Sequence, residues 1–129
     1  MAEIIQLPEY ADERGALTVL EKKLPFEIKR TYWIYNLSKG SQRGGHRHLK
    51  TQQAMVCLNG QSRVRIINRN EDKVILLNKP TNVLLLEPED WHTMYDFTSD
   101  TVLLLLASHF YDKNDYVLEP LECKFATKI

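Results

Sequence analysis

The chain has 129 residues, 43% of them hydrophobic and 26% charged, a balance that predicts one globular domain over 1–129 and excludes extended disorder. Seventeen Lys and Arg oppose seventeen Asp and Glu, so the net charge is zero and broad binding to nucleic acid or anionic membrane is not expected. The longest apolar run, Val102–Ala107, falls far short of the roughly 20 residues that span a bilayer.

The first ten residues, MAEIIQLPEY, carry no basic region followed by an apolar stretch, so no secretory signal is expected. Cys57 and Cys123 lie outside any CxxC pattern. No disulfide framework is expected, and a reducing cytoplasm fits.

Short segments rich in β-branched and aromatic residues follow one another along the chain. They are Glu3–Leu7, Leu17–Leu20, Ile28–Tyr35, Gln53–Leu58, Ser62–Asn68, Lys73–Leu77, Asn82–Leu86, Thr93–Phe97 and Thr101–Ser108. Turn signals separate them: Asn59-Gly60, Asn68–Asp72, Asn78-Lys79-Pro80, Pro88-Glu89-Asp90 and Thr98-Ser99-Asp100. Nine candidate strands with almost no helical periodicity predict an all-β sandwich or barrel. One helical turn is expected over Tyr111–Leu118, with Asp112 as N-cap and Pro120 as stop.

Alternation assigns strand faces. Ile28, Arg30, Tyr32 and Ile34 share one side, a mixed polar face that lines a pocket if it points into a barrel. Thr101–Ser108 is apolar on both faces, as for a strand lying between two layers or in a subunit interface.

The stretch Gly40-Ser-Gln-Arg43-Gly44-Gly45-His46-Arg47-His48 carries the strongest chemical signal. In a strand, His46 and His48 present two imidazoles on one face. Such a pair serves either as metal ligands or as acid and base, since imidazole titrates near neutrality and its neutral nitrogen binds transition metals. In isolation it is as easily a pair of surface histidines.

The spacing from Gly40 through His46-x-His48 and Gln53 to Gly60, with Pro88-Glu-Asp-Trp91-His92 and Asp96 following, resembles the paired motifs of the cupin superfamily. There the first motif implies two His and a Glu, and the second a third His, around a metal. Here Gln53 stands at the Glu position, and an amide is the poorer ligand for hard and borderline cations. No metal and no cofactor are therefore expected.

A closer resemblance rests on six segments in order. They are Asp12–Gly15, Pro25–Tyr32, Arg43–His48, Val56–Gly60, Trp91–Met94 and Leu106–Tyr116. Together they resemble the WxcM-like cupins, a family containing the dTDP-4-keto-6-deoxyglucose 3,4-ketoisomerases of surface-polysaccharide pathways. The resemblance implies a metal-free jelly-roll barrel, homodimeric, with the N-terminal strand exchanged between subunits. It also implies a dTDP-linked 4-keto-6-deoxy sugar as substrate.

Moving a ketone from C4 to C3 needs a base at C3, an acid at C4 and a shuttle between the oxygens. By resemblance His46 is the base, His48 its partner or shuttle, and Tyr32 the donor to the developing enolate. Arg14, Arg30, Arg43 and Arg63 are candidates for the pyrophosphate, with Gln53, Trp91 and His92 completing the substrate contacts. Arg63 and Arg65 share a face. Trp91, Trp33 or Tyr95 is expected to stack on the thymine, and His109 is read as surface. His92 and an exchanged Arg14 are expected on the sugar face away from His46, leaving the product's C4 hydroxyl axial.

Two other classes compete. Sugar-nucleotide 3,5-epimerases resemble a longer chain with a His–Asp base pair, and no downstream Asp motif matches here. A non-catalytic sugar-binding or sensor cupin is expected to carry an output domain, for which 129 residues leave no room.

Overall fold

The computed structural model describes residues 2–124. Twelve strands among them build two five-stranded antiparallel sheets and one separate hairpin. The first sheet runs β1 (Glu3–Gln6), β9 (Asn82–Leu86), β6 (Gln53–Asn59), β11 (Val102–Ala107), β4 (Arg30–Ile34). The second runs β12 (Tyr116–Val117), β5 (Arg43–His48), β10 (Trp91–Tyr95), β7 (Ser62–Ile67), β8 (Asp72–Leu77). This is the all-β sandwich expected from the strand count and turn spacing, in the jelly-roll form that the family resemblance implies.

Period-two patterning decides what fills the space between the sheets. Met55, Cys57, Leu84, Leu86, Leu103 and Leu105 project from the first sheet, and Val64, Ile66, Leu77 and Met94 from the second, into one buried cluster. Ile34 and Tyr32 of β4 pack against it, so the mixed polar face of β4 does point inward. Leu104, Leu106, Ala54, Val56 and Val83 lie on the opposite face of the first sheet. Leu20, Leu24 and Phe26 of the preceding loop cover that face, and β11 is thereby apolar on both sides.

Three strands were not expected. β2 (Glu9–Asp12) is too polar to show alternation, and it pairs with β3 (Gly15–Thr18) around Glu13-Arg14. β5 reads as a polar motif because its inward residues are histidines. β12 lies inside the segment expected to be helical, where only Lys113–Asp115 form a 3₁₀ turn. Asp112 caps that turn as expected, its side chain accepting from the Asn114 amide. The turn ends at Tyr116 because that residue re-enters a ladder with His48, well before Pro120. β1 pairs with β9 of its own chain, Glu3 opposite Leu85. Of the N-terminal residues expected to be exchanged, the β2–β3 hairpin is the part that joins neither five-stranded sheet.

Candidate active site

The site starts from an irregularity in β5. Met94 pairs with Arg43 and Thr93 with Gly44, so a regular ladder would set His92 opposite Gly45. Instead the register shifts by one residue and His92 faces His46. Gly44 and Gly45 have φ of +86° and +75°, which glycine adopts without the Cβ penalty. At Gly44 a Cβ would also stand 2.9 Å from the His92 carbonyl oxygen. The bulge delivers His46, and two residues later His48, to the barrel interior beside His92.

Three imidazoles meet there. The His46 ring centroid lies 5.1 Å from that of His48 and 5.0 Å from that of His92. Burial lowers the pKa of His46, and the neighbouring His48 lowers it further. Burial also lowers His48, outweighing the hydrogen bond and charge of Asp115 that pull the other way. His92 is fully buried and pushed down to about 3. All three are thus neutral at physiological pH, and neutral imidazole is the form that accepts a proton.

Their partners set which nitrogen is bare. His92 Nδ1 lies 3.0 Å from the Asp90 carbonyl, so it carries the proton and Nε2 does not. His48 Nδ1 lies 2.8 Å from Asp115 Oδ2. Asp115 also accepts from the Thr51 hydroxyl and, at Oδ1, from the amides of Leu49 (3.0 Å) and Lys50 (2.7 Å). Burial would raise this carboxyl, but the bonds from Thr51, His48 and Lys50 together hold it below the usual range. A His–Asp pair is therefore present, contrary to the sequence expectation that none exists. The charge run Asp112-Lys-Asn-Asp115 reads as a solvated turn, yet its last carboxylate is buried.

Across the barrel, Gln53 Nε2 donates to the Tyr32 hydroxyl over 2.7 Å. Burial raises the Tyr32 pKa, so the phenol keeps its proton. The Arg30 guanidinium carbon stands 5.2 Å from the Tyr32 ring centroid and 5.7 Å from that of Tyr111. Tyr116 closes the group, its ring 4.7 Å from His46 and 4.6 Å from His48. Arg30 Nε, His46 Nε2, His48 Nε2 and Gln53 Oε1 are all buried without a hydrogen-bond partner among the described residues. Unpartnered buried polar atoms are rare, and four in one interior cluster mark a place built for a polar ligand. No set of three or more His, Cys, Asp or Glu among the described residues is arranged to hold a metal ion.

The structure thus brings together His46, His48, His92, Tyr32, Gln53 and Arg30. Arg43 is exposed, but its charge reaches Tyr32. Arg63 and Trp91 are corrected: they sit on the outer face of the second sheet. On β7 and β10 it is Val64, Ile66, His92 and Met94 that point inward, and alternation sends Arg63 and Trp91 the other way. Arg63 pairs with Asp96 at 2.9 Å, and the Trp91 indole donates to the Leu118 carbonyl. Tyr95 lies on the same outer face, and Trp33 is exposed on β4. The interior aromatics are instead Tyr32 and Tyr116. Arg14 stands at the hairpin tip, its side chain 84% exposed and paired with Asp12. His92 lies beside His46 rather than across the cavity from it, which removes the basis for expecting an axial product. His109 is half-buried against the Ser108 hydroxyl.

Sequence reasoning missed Asp115, Thr51 and Tyr116. Asp115 and Tyr116 fall in the segment read as a helical turn, and Thr51 follows the His46-x-His48 motif without a pattern of its own.

The chain is 41% identical over 116 residues to the TDP-4-oxo-6-deoxy-α-D-glucose-3,4-oxoisomerase of Aneurinibacillus thermoaerophilus, covering 88% of this chain and 84% of that one. Its fold superposes on QdtA, a sugar 3,4-ketoisomerase from Thermoanaerobacterium thermosaccharolyticum solved with TDP. The TM-score is 0.87 at 42% identity, covering 92% of this chain and 88% of that one. A variant of the same enzyme, solved with TDP-4-keto-6-deoxyglucose, superposes with TM-score 0.87 at 41% identity, over 92% of this chain and 87% of that one. The family described as FdtA: WxcM-like, C-terminal matches residues 1–127, and the chain belongs to that family.

Proposed function

We propose that this chain is a sugar-nucleotide 3,4-ketoisomerase. It converts dTDP-4-keto-6-deoxy-D-glucose to a dTDP-3-keto-6-deoxyhexose by acid–base chemistry through an enediol. The observation that carries this reading is one interior cluster in which two neutral histidines with unpartnered Nε2 atoms share the barrel with a phenol that accepts from Gln53 and keeps its own proton. The names of the relatives support the substrate class.

His46 takes the C3 proton at Nε2. Charge moves onto O4, where the Tyr32 hydroxyl donates and stabilises it. His48 relays the O3 proton to O4, C4 takes up a solvent-exchangeable proton, and His46 returns to solvent the proton it took from C3. Burial keeps both histidines in the basic form and the phenol in the acidic form, the complementary states this step needs. Arg30 and Arg43 are the cations near the cavity for the pyrophosphate. Arg14 reaches a neighbouring subunit's cavity from the exchanged hairpin of a homodimer. The 3-keto product is the substrate form for transamination to a 3-amino-3,6-dideoxy sugar of a surface polysaccharide, made in the cytoplasm.

The test is NMR of dTDP-4-keto-6-deoxyglucose incubated with the protein in D₂O. A 3-keto product with deuterium at C4 is expected. Deuterium at C3 and C5 without a 3-keto product would make the protein a 3,5-epimerase. No exchange at all would leave it a binding protein.

A further inference from the structure

The two oxygens of Asp115 have different surroundings. Oδ1 accepts from two backbone amides, Leu49 at 3.0 Å and Lys50 at 2.7 Å, whose positions the chain fixes. Oδ2 accepts from the Thr51 hydroxyl and faces His48 Nδ1 at 2.8 Å. The Asp115 amide donates to the Asp112 carbonyl, and Asp112 caps the 3₁₀ turn, so the carboxylate is anchored at both ends. Asp115 is 4% exposed and His48 3%. A pair so enclosed orients a ring far better than an exposed one, where water competes.

We infer that Asp115 is a positioning residue that fixes the His48 tautomer, holding the proton on Nδ1 and leaving the lone pair at Nε2 for the reacting oxygens. A carboxylate only accepts, so the nitrogen facing it donates. His48 Nε2 makes no hydrogen bond of good geometry among the described residues, although the Gln53 side chain lies near the ring, whereas the Nδ1 side is fully engaged. An imidazole free to exchange tautomers would spend part of its time with a proton where the lone pair is needed.

The same geometry predicts what an amide would do at this position. In Asp115→Asn the two backbone amides require an oxygen at the Oδ1 place. The amide nitrogen then occupies the Oδ2 place and donates toward His48 Nδ1. The ring must answer by moving its proton to Nε2, which blocks the lone pair with little change in shape. The orienting carboxylate of a Ser-His-Asp triad shows the size of such an effect, where the corresponding change lowers kcat by roughly 10⁴ through the wrong tautomer.

The kinetic part of this inference rests on the ketoisomerase reading; the tautomer itself does not. The test is ¹⁵N–¹H correlation NMR of the protein labelled at histidine, with His48 assigned by comparison with His48→Gln. Wild type is expected to show His48 protonated at Nδ1, and Asp115→Asn protonated at Nε2. Turnover of dTDP-4-keto-6-deoxyglucose in Asp115→Asn is expected to fall at least about 100-fold, with KM within about 3-fold of wild type. Thr51→Val keeps the carboxylate and is expected to keep the wild-type tautomer, since Oδ2 still accepts from His48 Nδ1. Wild-type His48 protonated at Nε2 would overturn the inference even if Asp115→Asn does not fold. A flipped tautomer with undiminished kcat would overturn the positioning role. If wild type turns over no such sugar, the ketoisomerase reading fails while the tautomer measurement still decides this one.

Discussion

Gln53 gives its amide proton to the Tyr32 hydroxyl, so the phenol accepts here and keeps its own proton for a second acceptor. A carboxylate at position 53 would reverse that bond, because it can only accept. Gln53→Glu is therefore expected to fold, since size and shape are conserved, and to lose about 10- to 100-fold in kcat as the donor turns away from the substrate. Steady-state kinetics check this, and unchanged kcat would remove the directional role of Gln53.

His46 carries the base assignment. His46→Asn replaces a polar side chain that faces a polar cavity, so no apolar void opens and the thermal midpoint is expected to stay within a few degrees. Turnover is expected to drop at least about 100-fold, the scale of a general base. Near wild-type activity would move the base role to His48.

Activity is expected to survive exhaustive chelation. The carboxylate corner of a three-histidine metal site is here an amide whose nitrogen is committed to Tyr32. Loss of turnover in EDTA with recovery on adding zinc or iron would refute this expectation.

The lowered histidines set a pH dependence of known sign. Protonating His46 or His48 removes the base, so the acid limb of kcat/KM is expected below the ordinary histidine value of 6.5. For stability, His92 binds a proton more readily unfolded than folded, so stability is complete above 6.5 and falls as pH drops from 6.5 toward about 3. Urea midpoints between pH 6.5 and 4.5 follow this before most carboxylates titrate. A midpoint that rises on acidification across that window would contradict the buried, neutral state of His92.

The β2–β3 hairpin exposes Tyr10 and Leu17, and its strands pair only with each other among the described residues. Addition of such a hairpin to a second copy would cover these side chains and bring Arg14 to that copy's cavity. Replacing residues 9–18 with a short flexible linker is expected to give monomers and to abolish activity together, read by light scattering and turnover. A stable, active monomer would overturn the exchange.

The barrel was legible because short apolar runs are separated by turn signals, and because strands such as β7 alternate Val64 and Ile66 with Arg63 and Arg65. The site was legible in part because two histidines two apart share a face. Arg63 and Trp91 misled because residue type says nothing about which face a strand turns inward; Val64 and His92, one position away, decide it. Asp115 was hidden for a different reason. Its meaning depends on Leu49, Lys50 and Thr51, more than 60 residues away in sequence, and no local pattern encodes a nest assembled from a distant loop.

The glycine bulge in β5 acts as a phase shifter. Upstream of it the strand counts in one frame, downstream in the other, and both histidines of the strand lie downstream. Were Gly45 paired in even step instead of bulged, it would stand opposite His92. His46 and His48 would then exchange faces with Arg47, sending both imidazoles to solvent and an arginine into the barrel. The extra residue that the two glycines accommodate thus decides which side of the sheet carries the chemistry.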